Sequence, residues 1–90
     1  MKQAQHFFIS GRVQGVGFRW ATCNRAIDLQ LTGWVRNLSD GRVEVWAEGE
    51  ALSLAHLAEW LKHGPSTARV EGLSESMVEA KNYKDFREIA

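Results

Sequence analysis

Residues 11–19, Gly11-Arg12-Val13-Gln14-Gly15-Val16-Gly17-Phe18-Arg19, read as a strand that runs into a glycine turn and then into a helix. Gly15 and Gly17 remove side chains where backbone N–H groups converge, and Arg19 follows in the first helical turn. A helix start carries unpaired N–H donors and a partial positive charge. Such a turn suits a multiply charged oxyanion, most naturally a phosphate.

Outward from this turn the pattern is regular. Before it, residues 5–13 are strand-like, with Phe7, Ile9 and Val13 in period-two phase around Gly11. After it, Trp20, Cys23, Ile27 and Leu31 recur at helical spacing and predict an amphipathic helix ending near Gln30, with Cys23 a small core residue on its apolar stripe. Residues 33–37 alternate like a strand, and Ser39-Asp40-Gly41 supplies a hairpin turn. In the returning strand Val43, Val45 and Ala47 form an apolar face, while Arg42, Glu44, Trp46 and Glu48 make the other face mostly charged. Leu54, Leu57, Ala58 and Leu61 mark a second helix, stopped by Gly64-Pro65. Residues 68–79 read as a further strand with a bulge at Gly72, and 86–89 as a short terminal one.

The order βαββαβ plus a short C-terminal strand predicts an α+β, ferredoxin-like two-layer sandwich: an antiparallel sheet with two helices on one face. Ninety residues without a linker or repeat make one domain, 1–90. Eleven Lys and Arg balance eleven Asp and Glu, which argues against a nucleic-acid partner. Cys23 is the sole cysteine, so no internal disulfide forms, and no long apolar run marks a leader or a membrane span. A cytoplasmic monomer is the expectation.

Two features exceed what the fold needs. One is the loop Gln14, Gly15, Val16, Gly17 and Phe18 together with Arg19, whose guanidinium fork matches two phosphate oxygens at once. The other is Asn37, a residue type disfavoured in strands. Strand parity puts Asn37 on the face of Val35, opposite Trp34 and Arg36, and so towards the helices beside the loop. Its amide suits the holding of one water. Loop and arginine then bind a phosphoryl group while Asn37 aims a water at it. Phosphoryl transfer is mostly positioning and charge stabilisation, and a carboxylate leaves without a general acid. No metal cluster or nucleophile motif stands beside these residues, so acyl phosphates fit better than phosphate esters. His6, His56 and His63 read as surface histidines, and Trp34 with Trp46 as a cross-strand pair on the open sheet face.

Residues 9–19, Ile-Ser-Gly-Arg-Val-Gln-Gly-Val-Gly-Phe-Arg, closely resemble the first signature of the acylphosphatase family. Residues 33–43, continuing to Gly49, resemble the second, and 64–70 are also similar to the family. The resemblance spans nearly the whole chain. It implies hydrolysis of small acyl phosphates to a carboxylate and inorganic phosphate, with no metal or organic cofactor, Arg19 binding phosphate and Asn37 orienting the attacking water. One departure stands at the C-terminus: family members often end in Phe-x-Ile, whereas Phe86 and Ile89 are separated by two residues, which leaves the register of the last strand open. The rival reading is an anion-binding or interaction domain of the same fold without turnover.

Overall fold

In the computed structural model, which describes residues 2–90, the chain forms β1 (Gln3–Arg12), α1 (Phe18–Asp28), β2 (Thr32–Asn37), β3 (Val43–Gly49), α2 (Ala51–Leu61), β4 (Arg69–Val78) and β5 (Phe86–Glu88). The sheet order is β4-β1-β3-β2-β5. Each neighbouring pair among the four longer strands is antiparallel, with Phe7 opposite Val45 and Val35 opposite Val45 from the other side. β5 instead runs parallel to β2, so the sheet is mixed rather than wholly antiparallel. After β4 the chain reaches the opposite sheet edge, where Gly33 N–H donates to Asp85 and Ile89 N–H to Val35, fixing β5 alongside β2.

Period-two alternation sends Phe7 and Ile9 of β1, Val35 of β2 and Val43, Val45 and Ala47 of β3 to one face, all fully buried. Leu54, Leu57 and Leu61 of α2 pack into the same core, at the spacing read from the sequence. Burial of each such side chain contributes about 1.5–3 kcal/mol. The expected bulge lies beside Gly72: Ser10 pairs with Gly72 and Gly11 with Val70, leaving Glu71 as the extra residue.

Of the apolar stripe expected on α1, Leu31 is buried and Cys23 lies against the core, but the other half does not pack. Trp20 and Ile27 are 66% and 55% exposed, and the buried line is Phe18, Thr22 and Ala26. The small residues of that line allow a close approach to the sheet, and Phe18 anchors the helix start against Trp60 at 5.9 Å between ring centroids. Cys23 is only half-buried, at the edge of the core, where its Sγ donates to the Phe86 carbonyl. Burial, with the nearby charges of Glu88 and Asp85, pushes its thiol pKa up.

The other sheet face carries the expected stack of Trp34 on Trp46, 6.3 Å between centroids and 20° between planes. His6 joins it rather than lying free on the surface; its Nε2 is 2.6 Å from Glu44 Oε2, and its ring is 5.1 Å from that of Trp46. His56 and His63 are exposed. The acids of β3 are not a solvated face either, because Glu44 and Glu48 are both buried. Glu48 accepts from the Trp46 indole N–H at 2.8 Å and from the main-chain N–H groups of Lys81, Asn82 and Tyr83 at 2.6, 2.9 and 3.3 Å. One carboxylate thus ties down the segment that leads to β5. Among the described residues no helix is long and apolar enough to cross a membrane.

Candidate active site

The sequence turns at the end of β1 because Gly15 and Gly17 take φ of +74° and +79°, which side chains rarely tolerate. A Cβ at either position would meet nothing within 4 Å, so their smallness serves backbone conformation and open space rather than packing. Gly17 is the N-cap of α1 and supplies no capping side chain, and the first turn holds no acid. The first intrahelical bond runs from Ala21 N–H to Gly17. The N–H groups ahead of Ala21 therefore have no helical acceptor and remain donors to an anion.

Three contacts hold this turn in shape. Thr67 Oγ1 donates to the Val16 carbonyl at 2.6 Å. Phe18 sits against Gly64, where a Cβ would come within 2.4 Å of the ring, so glycine there lets the α2–β4 connection close over the helix start. The third contact is Gln14, whose Nε2 donates to the carbonyls of Leu38 and Arg42 at 2.7 and 2.9 Å. Those residues close the β2–β3 hairpin through Leu38 N–H to Arg42 at 2.8 Å. Gln14 thereby clamps the loop directly to the residue after Asn37.

The result is a pocket of about 230 Å³ lined by Gly15, Gly17, Arg19 and Asn37, with Val13 and Phe18 buried beneath and Trp20 and Glu88 also on its wall. Asn37 follows the expected parity: Val35, two residues earlier, is buried among the helix-facing core residues. Its Oδ1 is buried, and no donor among the described residues reaches it. A buried acceptor left unmatched costs about 1–3 kcal/mol, so this one calls for a donor from a water or a ligand. Arg19 is half-buried and joins no ion pair among the described residues, which leaves its whole fork for an anion.

Four of the expected site residues, Gly15, Gly17, Arg19 and Asn37, thus line one pocket, with Phe18 at its base. Gln14 and Val16 do not line it. The Gln14 side chain is committed to the hairpin and cannot turn to an anion without giving up both bonds. Val13, Trp20 and Glu88 are the lining residues that the sequence reading missed. Alternation from the buried Phe86 was the available signal for Glu88; nothing local signalled Trp20, which had been assigned to the core. Among the described residues no group of three His, Cys, Asp or Glu side chains could hold a metal ion.

Comparison with known proteins is consistent along the chain. A family model described as Acylphosphatase matches residues 5–88. An acylphosphatase of Synechococcus sp. (strain WH7803) is 56% identical over 72 residues, covering 80% of this chain and 72% of the relative. The structure of an acylphosphatase from Coxiella burnetii superposes with a TM-score of 0.95 at 44% identity, covering 98% of this chain and 93% of that one. That of the acylphosphatase from Bacillus subtilis superposes at 0.93 with 35% identity, covering all of both chains.

Proposed function

The chain belongs to the acylphosphatase family, and from that premise we propose that its pocket hydrolyses acyl phosphates with Arg19 and the 15–19 backbone holding the phosphoryl group and Asn37 orienting water. Acyl phosphate hydrolysis is the activity, giving a carboxylate and inorganic phosphate. The unmatched Asn37 Oδ1 in the pocket is the observation that carries the assignment of roles.

The phosphoryl oxygens take N–H donors of the loop and helix start, and Arg19 offers a bidentate fork to two of them. Asn37 Oδ1 accepts one hydrogen of a water, which points an oxygen lone pair at phosphorus. The water oxygen bonds to phosphorus as the bond from phosphorus to the acyl oxygen breaks, its electron pair leaving with the carboxylate. Both hydrogens of the water stay on dihydrogen phosphate, which re-equilibrates with solvent. Charge on the equatorial oxygens grows towards the transition state, where fixed N–H donors and the guanidinium stabilise it most. Gln14 acts as a positioning residue, because it sets the distance between cradle and amide.

On the same reading, residues 1–90 act as one domain and as a cytoplasmic monomer on small acyl phosphates, without nucleic acid or membrane. Two arginines support the absence of a nucleic-acid partner: Arg36, over the Trp34 ring, pairs with Glu44, and Arg42, over the Phe8 ring, pairs with Asp40. Phosphate release from acetyl phosphate tests the assignment. Asn37→Ala is expected to lower kcat by about 10²–10³-fold with little change in KM, the pattern of a contact made in the transition state. A folded Asn37→Ala protein with full kcat would refute the water-orienting role, and no turnover by the unsubstituted protein would favour the anion-binding domain.

A further inference from the structure

Trp20 and Glu88 share the pocket wall with Arg19 and Asn37, yet the hydrolytic step uses neither. Glu88 pairs with Val35 across β5 and β2, and paired residues project from the same sheet face. Glu88 therefore stands on the face of Val35 and Asn37, as does Phe86, which is buried. Ile89, which a Phe-x-Ile ending would place at this position, falls one residue later and is 37% exposed. The register of the last strand thus sets a carboxylate on the wall of a phosphate cradle. Glu88 is exposed and in no ion pair among the described residues, so its charge acts on what enters.

Trp20 is exposed for no packing reason, since α1 buries Phe18, Thr22 and Ala26 instead. With Val13 and Phe18 beneath the pocket, the Trp20 indole is its one large apolar surface open to solvent. Resting on the acyl phosphate reading above, we propose that Trp20 and Glu88 form the acyl-group subsite. It selects uncharged, apolar acyl groups over those that carry a carboxylate. A pocket of about 230 Å³ keeps a short acyl group within about one Debye length, ~8 Å, of Glu88 wherever it turns. A second carboxylate there is disfavoured about three- to tenfold, while the flat indole face favours a ring.

The test compares kcat/KM for acetyl phosphate, benzoyl phosphate and 4-carboxybenzoyl phosphate, which differ first in apolar area and then in one added carboxylate, whose charge is separated from its bulk by Glu88→Gln and by salt. The unsubstituted protein is expected to prefer benzoyl to 4-carboxybenzoyl phosphate by about three- to tenfold at low salt, less at high salt. Glu88→Gln should erase that ratio, and Trp20→Ala should lower the benzoyl-to-acetyl ratio about fivefold or more, chiefly through KM. An unchanged charge ratio in Glu88→Gln, or an unchanged benzoyl-to-acetyl ratio in Trp20→Ala, overturns the subsite. Failure to turn over any of the three substrates would instead remove the hydrolase reading beneath it.

Discussion

Gln14→Ala probes the link on which the two halves of the site depend. The substitution removes two part-buried bonds, of 2.7 and 2.9 Å, from Nε2 to the Leu38 and Arg42 carbonyls. Both carbonyls keep another partner, since Arg42 accepts from Leu38 N–H and Leu38 accepts from Gly41 N–H. The loss is therefore that of the bonds themselves, without orphaned acceptors. At about 0.5–1.5 kcal/mol each this totals roughly 1–3 kcal/mol. For a domain of this size about 2 kcal/mol lowers Tm by roughly 8–16 °C. The catalytic effect should exceed the stability effect, because the hairpin end carrying Asn37 is then free to drift from the 15–19 loop. A displacement on the order of 1 Å costs up to ~10²-fold in rate, so kcat is expected to fall by about 10–100-fold in protein that remains folded. Thermal melting and phosphate release from acetyl phosphate, measured on one preparation, give both quantities. A melting point that falls as expected with kcat intact would show the clamp to be structural only. Gln14→Glu should be worse than Ala on both counts, because it sets a carboxylate against two carbonyl oxygens.

Three further outcomes follow from the same geometry. Arg19→Lys should lose most activity, about 10²-fold or more, since a point charge cannot replace a two-pronged contact; inorganic phosphate inhibition would weaken in parallel. Gly15→Ala should cost about 1–2 kcal/mol at its φ of +74° and raise the inhibition constant for phosphate, although nothing packs against the new methyl group. The Glu48 carboxyl would be raised by burial, but the N–H groups of Lys81, Trp46, Asn82 and Tyr83 outweigh that and hold it below its ordinary range. A lowered native pKa gives stability that is complete above the unfolded value, about 4.3, and lost as pH falls through the native one. The urea midpoint should therefore fall in acid, and Glu48→Gln, about 2–4 kcal/mol less stable at pH 7, should show a flatter acid limb.

Strand elements and the meeting of Arg19 and Asn37 in one pocket were legible because their signals are local. Period-two alternation in β1 to β3 names the buried face directly, and the parity that buries Val35 also carries Asn37 to the pocket. The α1 stripe was misread because Trp20 and Ile27 weigh more in any hydrophobic pattern than Thr22 and Ala26, although close helix–sheet packing favours the smaller pair. The burial of Glu44 and Glu48 was not legible, because alternation marks their face as mostly charged and says nothing of what covers it. Their cover comes from His6, Arg36 and the 81–83 segment, two of them distant in sequence. Gln14 was assigned to the anion for a related reason: its partners lie across the molecule, and no spacing rule connects a glutamine to carbonyls in a hairpin still to come.

The placing of β1 between β3 and β4 has a consequence for the order in which the protein can be made. Ala4 pairs with Glu48 on one side and with Val78 on the other, so β1 emerges well before β4 and lacks that neighbour until residues 69–78 have been made. Pairings this distant in sequence slow folding, typically to milliseconds or longer, because loop-closure entropy is lost before the contacts form. The cradle lies at the end of that first strand, and Thr67 and Gly64, which shape it, lie in the connection to β4. A nascent chain that has already made β1 to β3 therefore holds Arg19, Asn37 and the Gln14 link between them, but not the Thr67 and Gly64 contacts that shape the turn itself. Phosphate binding should appear only with the final strands, which makes it a late and stringent reporter of complete folding.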